Sequence, residues 1–279
     1  MKKLFGVIGD PIKHSMSPSM HNDLFQIYGI DAHYQAFHVK KEHLSDAILG
    51  FRALGIAGFN VTVPHKEAII PLLDELDPLA KAIGAVNTVV YDNGKLKGFN
   101  TDGSGFVKGL LDRVSSLKDK KVLIVGAGGA ARAIYFTMAE AGPQLLDICN
   151  RTVSKAELIV KECPFQVPAS ALDINKAESK LETYDLIIQT TPMGMAPAIE
   201  ESPLSVHNLK PGSFVSDIVY NPLETRLLRE AGNKGAEIQN GVDMFVHQGA
   251  LAFEKWTGIE PDIKRMKDKV LKQLGGLSC

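Results

Sequence analysis

"VLIVGAGGAARAI", residues 122–134, is the stretch on which the fold turns. A short apolar run rich in β-branched residues predicts a buried strand, the glycines that follow predict a turn, and the alanine-rich run after them opens a helix. In such a junction Gly126 permits the tight turn, Gly128 lets the backbone approach a pyrophosphate, and Ala131 fills the third small position, where helix packs on strand. The helix N-terminus offers unpaired N–H groups and a partial positive charge to phosphates. Gly126, Ala127, Gly128, Gly129 and Ala130 are therefore a candidate dinucleotide cradle. The strand-to-helix context favours that reading over a plain packing turn with no ligand.

The next strand bears on which dinucleotide. NAD binders place an Asp or Glu about 20 residues after the loop, on the ribose 2′-hydroxyl. Here the strand ends "DICNRTVSK" (147–155), with Asn150 where the acid would stand, then Arg151, Thr152 and, one turn on, Lys155. A carboxylate would repel a 2′-phosphate, whereas Arg151 can pair with it bidentately and Lys155 adds a point charge. Asp147 lies too early, inside the strand. NADP is preferred over NAD on this charge argument; the alternative is an ordinary solvated Arg and Lys after a strand.

Working outward, strand and helix patterns alternate. "LFGVIGD" (4–10), "AHYQAFHV" (32–39) and Gly58–Val63 read as strands, and "HNDLFQIYG" (21–29) and "LSDAILGFRALG" (44–55) as helices. After Pro64 the apolar spacing predicts another helix, with Lys66 at its start. "AVNTVVYDNGKLKGFN" (85–100) carries two extended runs about Asp92-Asn93-Gly94, a tight-hairpin signal. Beyond residue 142, "QLLDICNRT", "YDLIIQTTP" and "SFVSDIVYNP" continue as strands, and "VDMFVHQGALAFEKWTG" and "DIKRMKDKVLKQL" as two helices. This pattern predicts two α/β domains, a mixed, mostly parallel sheet and then a second βα series, with the joint near residues 102–105. "TDGSG" (101–105), with two glycines, is the expected flexible joint.

Composition narrows the class. The chain has 279 residues, 45% of them apolar and 23% charged, with 31 Lys plus Arg against 32 Asp plus Glu. That balance argues against nucleic-acid binding and against an anionic membrane surface. No apolar run is long enough to span a bilayer, and the N-terminus is broken by Gly6, Gly9 and Asp10. Cys149, Cys163 and Cys279 form no CxxC pair, which argues against a zinc site and against structural disulfides. A cytoplasmic protein is expected.

The first half holds polar residues in unexpected places. "GDPIKHSMSPSMHN" (9–22) supplies Ser15 and Ser17 ahead of a helix, two hydroxyls that suit a small carboxylate. They also suit ordinary helix capping. "NVTVPHK" (60–66) supplies Asn60, Thr62 and Lys66; "GAVNTV" (84–89) supplies Asn87; "GFNTDGSG" (98–105) supplies Asp102. A solvated lysine is the alternative for Lys66 taken alone. His14, His21 and His65 have no metal-ligand spacing.

Together "SMSPSMHN", "GFNVTVPHK", "GAVNT", "GFNTDGSGF", "GAGGAARA", "NRT", "DIVYNP" and "NGVDMFVHQGALAFEKWTG" resemble the shikimate dehydrogenases, nearly end to end and in the same order. The resemblance implies an NADP-dependent oxidoreductase of aromatic amino-acid biosynthesis that interconverts 3-dehydroshikimate and shikimate, with a substrate domain over 1–103, completed by C-terminal helices from 241–279, around a Rossmann-type NADP domain over 104–240. It implies Ser15 and Ser17 on the substrate carboxylate, and Thr62, Lys66, Asn87 and Asp102 around the ring hydroxyls, with Tyr220 and Gln248 completing the substrate site. Lys66 and Asp102 would be catalytic. The glycine loop, Asn150 to Lys155, Ile218 and Gly241 would line the cofactor. Lys155 stands where many members carry arginine, which keeps the charge and loses the fork. A quinate/shikimate dehydrogenase of broader use and a non-catalytic NADP sensor are the competing expectations, and the oligomer is expected to be a monomer or homodimer.

Overall fold

Two sheets organise the chain, which is a computed structural model describing residues 2–275. One unit comprises the residues up to Thr101 together with those from Val246 onward; the other is Asp102–Phe245. Cys279 lies outside the described residues.

The first unit begins β1 (Lys3–Gly9), α1 (Ser17–Ile27), β2 (Ala32–His38), α2 (Leu44–Leu54) and β3 (Gly58–Val61). It continues with β4 (Glu75–Leu76), α3 (Pro78–Ile83), β5 (Thr88–Asp92) and β6 (Lys95–Phe99). Its sheet runs β2-β1-β3-β5-β6-β4. β1 is parallel to β2 and β3, whereas β5 is antiparallel to β3 and β6. The hairpin turns on Asn93 (φ 49°) and Gly94 (φ 80°), the paired positive φ values that match the twist of the strands they join. Alternation along β1 separates two cores. Ile8 joins Val39, Ile48, Phe51, Phe59 and Val61 on one face. Phe5 packs its ring 5.2 Å from Phe25 and 5.2 Å from Trp256 on the other.

The segment after β3 departs from expectation. The ladder stops at Val61, and residues 65–73 form turns and one 3-10 turn, Ile70–Leu72, in place of a helix. Pro71 accounts for this: it has no N–H to give to an α-helical bond and its ring clashes with the preceding turn.

The second unit contains α4 (Asp102–Leu111), β7 (Lys121–Val125), α5 (Gly129–Ala141), β8 (Leu145–Cys149), α6 (Val153–Glu162), β9 (Ala171–Leu172) and α7 (Ile174–Ser179). It proceeds through β10 (Leu186–Gln189), β11 (Phe214–Asp217), α8 (Arg226–Asn233) and β12 (Glu237–Gln239) into α9 (Val242–Thr257). The sheet order is β12-β11-β10-β7-β8-β9, with every pairing parallel. Chain order reverses at the β7/β10 pair, the switch point where open α/β sheets bind ligands. "TDGSG" is not a flexible joint. Gly103 and Gly105 are buried inside α4, and a Cβ on Gly103 would collide with Thr137 Oγ1 and the Ala133 carbonyl of α5. Glycine is needed here for close helix packing.

From Val246 the chain belongs to the first unit again, through the rest of α9 and through α10 (Ile263–Gln273). Trp256 Nε1 donates to the Val89 carbonyl at 3.0 Å, and Arg265 Nε meets Asp23 at 2.6 Å. Phe253 is fully buried and touches Phe25 at 5.6 Å between ring centroids. Burying such a ring contributes roughly 1.5–3 kcal/mol.

Candidate active site

β7 delivers its chain to Gly126, whose φ of +109° excludes most side chains, and a Cβ there would lie 2.7 Å from Thr190 Oγ1 beyond β10. The turn is pinned by Gly126 N–H donating to the Cys149 carbonyl at 2.8 Å. Gly128 caps α5 in extended conformation, and nothing lies within 4 Å of where a Cβ on Gly128 or Gly129 would stand. Ala127 and Ala130 are half-buried, while Ala131 is fully buried against the sheet. The first turn of α5 carries no acidic residue and no side-chain cap. Open glycines at the N-terminus of a 13-residue helix fit a pyrophosphate.

Beyond β8, Asn150 turns its amide back onto the Thr152 carbonyl at 2.9 Å, and Thr152 is the N-cap residue of α6. Arg151, Thr152 and Lys155 are exposed there. Asp147 belongs to the fold: it is 2% exposed and accepts from Ser170 N–H at 2.7 Å and Tyr184 O–H at 2.6 Å. Residues 150–155, which follow β8, include no carboxylate, and their donor set suits a 2′-phosphate.

The loop after β11 meets the start of α9. Gly241 N–H donates to the Val219 carbonyl at 2.9 Å, and any side chain on Gly241 would strike the Ile218 carbonyl. Asp217 holds this loop by accepting from Val219 N–H at 2.9 Å and Thr225 O–H at 2.8 Å. Burial pushes its pKa up to about 6. Tyr220 is half-buried with its ring 5.3 Å from Phe245, and burial raises its phenol pKa.

In the first unit Ser17 opens α1, its N–H 3.3 Å from Ser15 Oγ. Thr62 follows β3 and is half-buried, as is Lys66. His65, between Thr62 and Lys66, is fully buried and directs Nε2 to the Val39 carbonyl at 2.6 Å. A carbonyl can only accept, so Nε2 carries the proton and His65 serves the fold. Asn87 is buried and clasps Thr101: its Oδ1 accepts Thr101 N–H at 2.8 Å, and its Nδ2 donates to Thr101 Oγ1 at 3.0 Å. Asn87 thereby fixes the residue that precedes Asp102, itself buried as the first residue of α4. Gln248 is half-buried on α9. His21 is buried among rings, 4.6 Å from Tyr34, with its pKa driven down to about 3 by burial. No cluster of metal-ligating side chains occurs among the described residues.

Sequence reasoning singled out Asn60 and Asn87 but missed their partners Tyr34, Thr88 and Thr101. Thr88 and Thr101 bond Asn87, and Asn60 ties Asn87 to Tyr34. Polar Thr88 within an apolar strand was the available signal for one of them; nothing in the sequence marks Tyr34. Asp217 was missed as well.

A parallel sheet of this order with a glycine loop at its switch point defines a dinucleotide-binding protein of the α/β class. Sequence models for the shikimate dehydrogenase substrate binding domain, shikimate / quinate 5-dehydrogenase and the shikimate 5′-dehydrogenase C-terminal domain match residues 7–89, 110–218 and 241–271. The chain is 58% identical to a shikimate dehydrogenase (NADP(+)) of Bacillus cereus over 99% of its own length and all of the relative's. It superimposes on the Listeria monocytogenes shikimate 5-dehydrogenase in complex with shikimate and NAD with a TM-score of 0.92, at 39% identity and covering 96% of each chain. The Thermus thermophilus enzyme in complex with NADP(H) and shikimate gives 0.88 at 36% identity, covering 97% of this chain and 99% of that one. The chain belongs to the shikimate dehydrogenase family.

Proposed function

We propose that the protein catalyses the reversible, NADP-dependent reduction of 3-dehydroshikimate to shikimate, a step of aromatic amino-acid biosynthesis. The observation that carries this reading is the full-length agreement with relatives of that name, joined to a β8 end that offers Arg151 and Lys155 in place of a carboxylate. The glycine loop with Ile218 and Gly241 holds the dinucleotide, and Asn150, Arg151, Thr152 and Lys155 hold its 2′-phosphate. When bound, the reduced nicotinamide supplies the hydride.

The chain's own residues orient the substrate and move the proton. Ser15 and Ser17 donate to the substrate carboxylate. Thr62, Asn87 and Asp102 bind the ring hydroxyls, and Tyr220 and Gln248 contact the substrate as well. As the ketone carbon is reduced, negative charge gathers on its oxygen; Lys66 stabilises that charge and delivers the proton from Nζ. In the reverse direction neutral Lys66 accepts the hydroxyl proton. Asp102 hydrogen-bonds a substrate hydroxyl. The proposed substrate domain is residues 1–103 with 241–279 and the proposed cofactor domain 104–240, near the divisions of the chain after Thr101 and Phe245.

No helix among the described residues is long and apolar enough to cross a membrane. The proposed setting is cytoplasmic, with small-molecule ligands only and a monomer or homodimer as the working form. Turnover of shikimate and quinate, each with NADP and with NAD, tests the reading. Activity confined to shikimate with NADP is expected. Comparable turnover of quinate would overturn the narrow assignment, and cofactor binding without turnover would make the protein a sensor.

A further inference from the structure

Four polar side chains of the first unit close on one another where β3, β5 and the end of β6 meet. Asn60 lies on β3, Asn87 and Thr88 at the start of β5, and Thr101 two residues past β6. Thr88 opens β5 and is fully buried, in register with Asn60 on one side and Phe99 on the other. Its Oγ1 lies 3.1 Å from Asn60 Nδ2, 3.0 Å from Asn87 Oδ1 and 3.1 Å from Thr101 Oγ1. A hydroxyl has one proton and two lone pairs, so these three neighbours use its whole bonding capacity.

The protons can be placed by what each partner is able to do. Asn60 also faces the Asn87 main-chain carbonyl at 3.1 Å, and a carbonyl only accepts. The Asn60 group there is its NH2, which donates to Thr88 as well. Asn87 Oδ1 receives the Thr101 N–H at 2.8 Å, which fixes the way its carboxamide faces. The Thr88 proton therefore goes to Asn87 Oδ1. That oxygen then has both lone pairs occupied, so the Thr101 hydroxyl proton, although 3.1 Å from it, is left for Thr88. Thr101 Oγ1 in turn accepts from Asn87 Nδ2 at 3.0 Å. Thr88 is thus the link between the Asn87–Thr101 side-chain pair and Asn60 on β3.

Burial alone does not call for this hydroxyl. Valine has the shape of threonine, and Val89 and Val90 follow Thr88 along β5. We infer that Thr88 is a positioning residue for substrate recognition: its hydroxyl locks the Asn87 carboxamide and the Thr101 side chain in one arrangement, so that Asn87 meets a substrate ring hydroxyl already oriented. A group oriented in advance loses less freedom when the substrate arrives. This inference rests on the proposed role of Asn87 at the ring hydroxyls.

The test combines a rescue with a double-mutant cycle, read on KM and kcat for shikimate and on KM for NADP. Thr88→Val, which deletes only the hydroxyl, is expected to raise the KM for shikimate about tenfold with kcat changed by less than about threefold, the scale of one lost hydrogen bond. Thr88→Ser, which keeps the hydroxyl and loses the methyl, is expected to stay within about twofold of the parent on the same scale. In an Asn87→Ala background Thr88→Val is expected to add less than about twofold. Shikimate analogues each lacking one ring hydroxyl sharpen this: the analogue whose binding Asn87→Ala leaves unchanged should also be blind to Thr88→Val, which a merely structural lesion would not allow. A Thr88→Val KM like the parent's, a Thr88→Ser as impaired as Thr88→Val, multiplying effects of Thr88→Val and Asn87→Ala, or a parallel rise in the KM for NADP would overturn the inference while leaving Asn87 in place. An unchanged KM for shikimate in Asn87→Ala would instead remove the ring-hydroxyl reading of Asn87, and the inference with it. If Thr88→Val does not fold, Thr88→Cys, whose thiol is a weak donor, takes its place in the cycle with the same outcomes.

Discussion

The candidate site residues of the two units are held in opposite ways. In the first, Asn60, Asn87, Thr88 and Thr101 are all less than 10% exposed and bound to one another. In the second, Arg151, Thr152 and Lys155 stand in solvent at the end of β8. A buried, mutually bonded set cannot adapt to a ligand that lacks a hydroxyl without leaving a group unpaired, so it discriminates steeply. Exposed cations attract any anion of suitable spacing and are screened by salt. The first arrangement suits recognition of one small polyol, the second recognition of a single added phosphate.

The sharpest break in this contrast is at Lys66. Lys66→Ala is expected to lower kcat by about a hundredfold or more while shikimate binding changes far less, the usual scale for losing a general acid. Steady-state kinetics with a shikimate titration checks it, and parent-like turnover would remove Lys66 from the mechanism.

Next comes the exposed set. Asn150→Asp with Arg151→Ala is expected to raise the KM for NADP by about a hundredfold, through lost charged contacts and new repulsion. NAD use should hold or improve, and the KM for shikimate should stay level. A surviving NADP preference would mean that the 2′-phosphate is read elsewhere.

Asp217, like Asp147, is a buried carboxylate of the second unit. Its folded-state pKa of about 6 lies above the ordinary 3.8. The folded protein therefore binds this proton more tightly than the unfolded chain. The stability gained is full below the ordinary value and is lost as pH rises through about 6. Asp23 behaves oppositely: hydrogen bonding from Arg265 lowers its pKa, so its contribution is present above the ordinary carboxylate range and lost on acidification. Urea unfolding of Asp217→Asn between pH 4 and 8 should show the variant gaining on the parent as pH rises, by up to about 3 kcal/mol. A constant difference across that range would show that Asp217 does not titrate there.

Ser15→Ala with Ser17→Ala is expected to raise the KM for shikimate about tenfold and to leave that for NADP alone. Smallest is the effect of salt. Between about 0.05 and 0.5 M, the KM for NADP should rise a few-fold and that for shikimate less than about twofold. Equal sensitivity would erase the distinction between buried and exposed recognition.

The long elements were legible because their patterns are local. β1, β2, α2 and β7 lie within a residue or two of where periodicity and glycine punctuation predict them, and Asp92-Asn93-Gly94 predicts its hairpin outright. β9 and β12 were not, since two or three residues carry no period. Ile69 and Ile70 imitated a helix that Pro71 forbids. Gly103 read as flexibility because sequence does not show the α5 backbone lying against it. At the site, residue types at element ends were readable, and Lys66 and Asn150 could be singled out on chemistry. The Tyr34–Asn60–Asn87 network was not, because its partners lie 26 or 27 residues apart and meet only when the sheet forms.

Trp256 reaches back to the Val89 carbonyl, and Phe253 to Phe25, so the first unit is begun at one end of the chain and finished at the other. On a ribosome adding about 5–20 residues per second, residues 102–245 take on the order of 10–30 s to make. For that interval Phe5 and Phe25 have been synthesised without the aromatic residues that will cover them, while the parallel sheet of the second unit has all its strands in one uninterrupted stretch. The nascent chain thus spends its longest wait with an apolar sheet face uncovered. A chain stopped before Val246 lacks Phe253 and Trp256 and leaves Phe5 and Phe25 without the rings that cover them.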